Sequence, residues 1–517
     1  MKRKYIMRFA VVGLSLLGSS CSDYLNVDKY FKDSLTEQTL FESKDYSERW
    51  LAGVYSHLVG ANADVASKGH TLFNFSDDMF FGDRDNAYVT FKNGMYDEGW
   101  RQTWGGLYVG IRDASTFIYN IDINKELNRE EIADYKAQAR FLRAYYYWLL
   151  LRKYGPIPLL PEKGLDYTDS YEDLARARNT YEECAEYISG ELALAAHDLP
   201  LRRDNRNIAR PTRGAALAAR AKVLLFAASP LANGNNDDFA AKLVDDTGKR
   251  LLSDVYDEVK WAKAAAAAKD VMKLDVYHLY TAPFQAEDVS KAKPKTIIPP
   301  YDARYSDKNF PDGWKDIDPF ESYRSLFNGD VQANANPELI FTRGVNQDSE
   351  GIEILVMHQV PYSAGGWNTH GVSMKQGDAY YTNDGKDIPG KDDYFGQGGN
   401  TERVSGYVTE EDVKEGRYKP LPQGVSLQYA NREPRFYASI AYNGSIWEMI
   451  SAEREDDRYR QFWYYRNYPD GKQASAPAFH IRTGLGVKKY YNPEDSFIRD
   501  TKSRRIPKPE PAIRYAE

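Results

Sequence analysis

Six stretches of the chain, at residues 43–58, 104–121, 131–154, 181–197, 213–228 and 254–274, carry apolar side chains at three-to-four-residue spacing. That is the period of a helix with one buried face. In the third stretch Ile132, Tyr135, Ala139, Leu142, Tyr146 and Leu149 fall on one stripe, and Gly155-Pro156 stops the helix. Thr180 and Glu183 stand at capping-box spacing before the fourth. Thr212 is placed to cap the fifth, which Pro230 ends. The fifth and sixth are rich in small residues, Gly214-Ala215-Ala216, Ala218-Ala219 and the alanine run 264–268, so neighbouring helices can approach closely. The pattern predicts antiparallel helix pairs stacked like tetratricopeptide units, without a strict repeat of about 34 residues.

After about residue 280 the texture changes. Proline, glycine, Asp/Asn and aromatic residues dominate, as in Pro299-Pro300-Tyr301, Phe310-Pro311-Asp312-Gly313-Trp314 and Gly365-Gly366-Trp367. The strand candidates are short, at 339–342 and 436–442, with long turns between them. The expected fold is mainly α: a tetratricopeptide-like helical scaffold over 21–278 and a loop-rich, short-strand region over 279–517. Loops held by a rigid scaffold are where binding residues concentrate.

The first 21 residues read as a lipoprotein export signal. Met1-Lys2-Arg3-Lys4 and Arg8 are its basic end, 9–17 its apolar run, and Gly18-Ser19-Ser20 the small residues before Cys21. The run is about half the roughly 20 apolar residues a membrane-spanning helix needs. We expect residues 1–20 to be removed and Cys21 to be acylated. Cys184 is the only other cysteine, which leaves no disulfide framework. Inside a helical pattern it is expected to be a buried, inert thiol. The net charge of −7 with no basic tract argues against nucleic acid as a partner. Aromatic residues make up 14% of the chain, including 40 Tyr and 9 Trp. So many amphipathic rings suit stacking on sugars, although most single rings are expected to be packing.

No catalytic constellation is present. The seven histidines are scattered without metal spacing, and neither a Gly-x-Ser-x-Gly elbow nor a phosphate loop occurs. The acid pairs Asp77-Asp78 and Glu410-Glu411 are expected to be solvated turns, not a glycosidase pair. Asn383-Asp384-Gly385-Lys386-Asp387 lacks the closing Glu of a calcium loop. No cofactor or metal is expected. Sugar capture needs aromatic faces beside Asp, Asn or Arg side chains, and two loop regions supply them. One yields Asp78, Arg84 and Tyr88 as candidates; the other yields Trp314, Tyr323, Trp367 and Tyr380. Trp104, Trp148 and Trp261, within helical patterns, are expected to be core.

Three segments resemble the SusD/RagB family. They are Gln138-Ala139-Arg140-Phe141-Leu142-Arg143-Ala144-Tyr145-Tyr146-Tyr147 with Arg152-Lys153-Tyr154-Gly155-Pro156; the run 213–225 ending in Ala228-Ser229-Pro230-Leu231; and Asn431-Arg432-Glu433-Pro434-Arg435-Phe436-Tyr437. Asn336-Pro337-Glu338-Leu339-Ile340-Phe341 falls in the expected order between the second and third. The resemblance implies a lipid-anchored protein on the extracellular face of the outer membrane. Such a protein binds glycans or oligosaccharides without catalysis and delivers them to a SusC-like TonB-dependent transporter. It also implies that the two candidate loop regions lie where the family places ligand contacts. A peptide-binding member of the same family is the alternative, and a glycoside hydrolase the alternative from another class. Pro511-Ala512-Ile513-Arg514-Tyr515-Ala516-Glu517 resembles the start of the family's last helical section, so the chain is expected to be incomplete at its C-terminus.

Overall fold

The computed structural model describes residues 37–61, 76–82, 90–99, 102–165, 168–284, 296–342, 352–391, 402–473, 479–497, 504–508 and 511–517. Cys21, Arg84 and Tyr88 lie outside them.

The predicted helices form an up-and-down array. They are α1 (Lys44–Ala61), α2 (Trp104–Asn120), α3 (Arg129–Tyr154), α4 (Tyr181–Asp198), α5 (Arg213–Ala228) and α6 (Val259–Met272). Each packs chiefly on the next along the chain, as in stacked helix-pair repeats. The centre is α3, buried on nearly every side from Tyr135 to Leu151. Asn128 and Glu131 close a capping box at its start, each side chain accepting from the other's backbone N–H at 2.9 Å.

Two arginines of the 138–147 motif tie this helix to its neighbours. Arg140 donates to both carboxylate oxygens of Glu191 on α4, at 2.8 and 2.9 Å, and meets Glu162 at 2.6 Å. Arg143, fully buried, donates to the Leu160 and Pro161 carbonyls at 3.3 Å. The capping box at Thr180 and the Thr212 cap form as the spacing predicts. Small residues let α4, α5 and α6 close up: Ala215, Ala216, Ala219 and Ala267 are 0–1% exposed. Cys184 is buried, and burial pushes its thiol up to about 11, the inert state expected of it.

Two of the helix expectations need correction. The sixth helix starts at Val259 rather than 254, because the Asn233 side chain exchanges hydrogen bonds with the Asp257 backbone and holds the preceding residues as a loop. Trp148 is core, but Trp261 is 40% exposed on the outer face of α6. Trp104 is only half-buried: its ring packs on Tyr108 and Tyr154 with centroids 5.1 and 5.2 Å away, and it lines an open cleft.

The second half is loops pinned by short strands. A mixed-order sheet runs β1 (Met79–Phe81), β5 (His370–Val372), β9 (Gly486–Val487), β6 (Ile440–Ala441), all neighbours antiparallel. Two-stranded pairs are β2 (Ala282–Pro283) with β3 (Ile317–Asp318) and β7 (Ile446–Trp447) with β8 (Arg460–Gln461). A third pair, β4 (Leu339–Thr342) with β10 (Pro511–Arg514), joins the halves. Its Phe341 ring meets Phe141 and Tyr145 of α3 at 5.1 and 5.6 Å, so this pair belongs to the scaffold core. Residues 511–514 are therefore strand, not the opening of a helix. The candidate strand 436–442 is likewise mostly helical. Pro434 opens the short helix α9 (Pro434–Ser439), and only Ile440–Ala441 is extended. Two further helices matter for the site: α7 (Pro319–Asn328), capped by Asp318, and α8 (Met374–Ala379), capped by Ser373.

Candidate functional site

The motif Asn431–Tyr437 turns out to be the foundation of one candidate surface. Arg432 is buried, and its guanidinium donates to the carbonyls of Gly377 and Tyr380 at 2.6 and 2.8 Å while lying 4.2 Å over the Phe436 ring. A guanidinium can satisfy several carbonyls at once, so it fixes the chain just after α8. Glu433 completes the clamp, accepting from the Tyr381 N–H at 2.9 Å while its own N–H donates to the Tyr381 carbonyl at 3.1 Å. Tyr437 donates its hydroxyl proton to the Tyr429 carbonyl and accepts from the Arg432 N–H. Asn431 sits at φ 52°, in the left-handed region that Asn tolerates.

On this foundation Tyr380 and Tyr323 converge. The Tyr323 hydroxyl on α7 lies 3.2 Å from Ser439 Oγ at the end of α9. Tyr380 stands close enough to Tyr323 and Ser439 for both to perturb its hydroxyl. Burial, then the neighbouring Tyr323, pushes Tyr380 up to about 12, and burial raises Tyr323 as well, so both hydroxyls keep their protons. Both rings are half-buried. Beside them stands Arg435, half exposed and paired with Glu433 at 2.5 Å. Lys489 lies over the rings of Phe327 and Tyr323, at 4.1 and 5.7 Å. It makes no hydrogen bond or ion pair with any described residue, and burial draws its ammonium down. The result is a cluster of two half-buried tyrosine rings around the buried Ser439, edged by the half-exposed Arg435 and its Glu433 partner, with Lys489 over the Tyr323 ring.

The other candidates are placed differently. The β1–β5 ladder pairs Met79 with Val372 and Phe81 with His370, which puts Asp78 and Trp367 at the two borders of one sheet. The Asp78 carbonyl accepts from the Ser373 N–H, and Asp77 pairs with Lys375 at 2.8 Å. Trp367 packs edge-on against His358 at 4.5 Å, and His358 stacks on His370 at 5.0 Å, so this indole mainly pins its own loop. Trp314 is half-buried in a loop closed on itself, its N–H donating to the Tyr305 carbonyl. Among the described residues it meets no other aromatic ring. Of the seven candidates, then, Tyr323 and Tyr380 are brought into one cluster, while Arg84 and Tyr88 are not described. Ser439, Arg435, Glu433 and Lys489 were not singled out from the sequence. The signal for the middle two was the Glu-Pro-Arg motif itself, which had been used only as a marker of resemblance.

The family follows from sequence comparison. One family model, described as starch-binding and associating with the outer membrane, matches residues 23–225, and a second, that of the SusD family, matches 327–517. The chain belongs to the SusD/RagB family. A SusD-like protein of Bacteroides ovatus is 25% identical over 280 residues, 50% of this chain and 47% of that one. A SusD-like protein of Formosa agariphila is 25% identical over 155 residues, 28% of this chain and 29% of that one. The matched stretches thus span about half or less of these relatives. Among solved structures, a SusD-like protein of Bacteroides fragilis superposes with a TM-score of 0.61 at 19% identity, covering 94% of this chain and 75% of that one. A SusD-like carbohydrate binding protein of the same species gives 0.57 at 19% identity, covering 92% and 73%. The mainly helical fold with its loop-built second half is therefore the SusD-like one.

Proposed function

We propose that this protein captures glycans or oligosaccharides at the outer face of the outer membrane, anchored through acylated Cys21, and hands them to a SusC-like TonB-dependent transporter. Capture is non-covalent and involves no catalysis. The observation that carries this reading is the clustering of the Tyr323 and Tyr380 rings, with Tyr323 bonded to Ser439, beside Arg435 and Glu433. The exposed parts of the two ring faces offer apolar surface to sugar C–H faces, while the Arg435–Glu433 pair offers a donor and an acceptor to sugar hydroxyls. The starch-binding description of the matching family and the carbohydrate-binding relative of known structure support it. Weak binding suits delivery, since a ligand must be released; dissociation constants of roughly 1 μM to 1 mM correspond to about −8 to −4 kcal/mol. The scaffold over 21–278 would then serve as support, with 279–517 supplying most ligand contacts.

The test is a glycan array followed by calorimetry, with a peptide pool alongside. Saturable binding to one glycan class, weakened at least about fivefold in Tyr380→Ala and Tyr323→Ala, is the expected result. Binding to peptides alone would overturn the glycan reading in favour of the peptide-binding alternative. Turnover of a bound oligosaccharide would overturn the non-enzymatic one.

A further inference from the structure

A second feature stands on the helical scaffold, away from the tyrosine cluster. An open cleft of about 420 Å³ is walled by Trp104 and Tyr108 of α2, by Leu160 on the segment after α3, and by Leu174 at the end of a one-turn helix. Its volume falls within the about 300–1,000 Å³ typical of small-molecule sites. The Tyr108 hydroxyl is already committed, donating to the Pro158 carbonyl at 2.7 Å, so Tyr108 offers the cleft only a ring. The Trp104 indole is half-buried, and its ring N–H makes no hydrogen bond with any described residue.

Charge gives the cleft its selectivity. Two guanidinium groups, Arg112 and Arg176, stand in its lining, and among the described residues no carboxylate does. Arg112 is shared with Asp113, at 3.0 and 3.1 Å. Arg176 forms no ion pair or hydrogen bond with any described residue. On a chain of net charge −7, a cleft whose described lining holds the uncompensated Arg176 guanidinium favours an anionic occupant. A planar guanidinium is suited to a carboxylate, and an indole face to a ring with an apolar side. We infer that this cleft is a second saccharide site, selective for carboxylate-bearing sugar units such as uronates. The inference rests on the glycan reading above for the class of ligand and adds to it the acidic substituent.

The experiment titrates the intact chain calorimetrically with trigalacturonate and with its fully methyl-esterified form, which keeps the rings and removes the charge. The acid should bind about tenfold more tightly than the ester, a preference that shrinks as salt is raised. Arg176→Gln, an exposed substitution, should abolish most of that preference, and Trp104→Leu, checked for an unchanged melting curve, should weaken both ligands. Tyr380→Phe should leave the preference in place, because it lies in the other cluster. Equal affinity for acid and ester, or a preference that survives Arg176→Gln, overturns the inference. If, alongside such a result, neutral glycans still bind and lose affinity in Tyr380→Ala, the glycan reading stands while the cleft inference alone fails. A peptide carboxylate that displaces trigalacturonate in an Arg176-dependent manner would overturn the saccharide assignment of the cleft.

Discussion

The two halves of this molecule are ordered by different chemistry. In the helical half most of the backbone satisfies itself within helices, and most side chains decide how closely helices approach: alanines between α4, α5 and α6, large rings around α3. In the loop-built half the backbone has few ladders, so buried side chains must satisfy its carbonyls and amides. Arg432 does this for Gly377 and Tyr380, Glu433 for Tyr381, and Lys488 for the Ile446 carbonyl at 2.7 Å. Regular structure is therefore tolerant of side-chain loss at its edges, whereas irregular structure hangs on single polar residues.

That contrast can be broken most forcefully at Phe141, whose ring is fully buried in the scaffold core. Phe141→Ala should cost about 4 kcal/mol in chemical denaturation, while the folded fraction retains its glycan affinity. Loss of affinity per folded molecule would show that the halves are not separable. Next comes Arg432→Ala, expected to cost about 3 kcal/mol because buried carbonyls lose a charged donor. Here binding should fall with stability, since Tyr380 loses its anchor; unchanged calorimetric affinity would refute the link between motif and site.

Smaller effects are expected at helix ends. Asn128→Ala removes the cap of α3 and should cost about 1 kcal/mol without touching affinity, as read from paired melting and binding curves. The smallest is a pH effect at Glu183, whose carboxylate is held at about 2 by Lys249 and by the Thr180 backbone N–H. A depressed pKa stabilises the fold above the unfolded value near 4.5, and that contribution is lost as pH falls toward 2. The pair is about half exposed, so the effect should stay below about 1 kcal/mol. Comparing acid titrations of the wild type and Glu183→Gln checks it: the variant should lose less stability between pH 4.5 and 2.

Much of the scaffold was legible. The helix α5 runs over the residues its spacing predicts, with its Thr212 cap, and strand 339–342 is also where the apolar run placed it. Helical periodicity and caps are local, so they survive without knowledge of neighbours. Misreadings came where local pattern was silent about partners. The run 436–442 was read as strand because a short apolar stretch after a proline fits either conformation. Trp261 and Trp104 were placed in the core because periodicity identifies an apolar face without saying whether anything covers it. The site was less legible still: Tyr323 and Tyr380 were named for their chemistry, but nothing in their spacing foretold that they come together beside Ser439.

The amino-acid sequence by itself determined the helical half, the change of texture near residue 280 and the family, because helix period, capping residues and motifs act over a few neighbouring positions. Only the tertiary structure decided which aromatic rings pin loops and which converge, and that the arginine of the Asn431–Tyr437 motif is a clamp on distant carbonyls. Those outcomes depend on contacts between residues 52 to 116 positions apart, such as Arg432 with Tyr380 and Tyr323 with Ser439. Short-range pattern carries no information about such pairs, since their geometry is set by how the loops close over the scaffold.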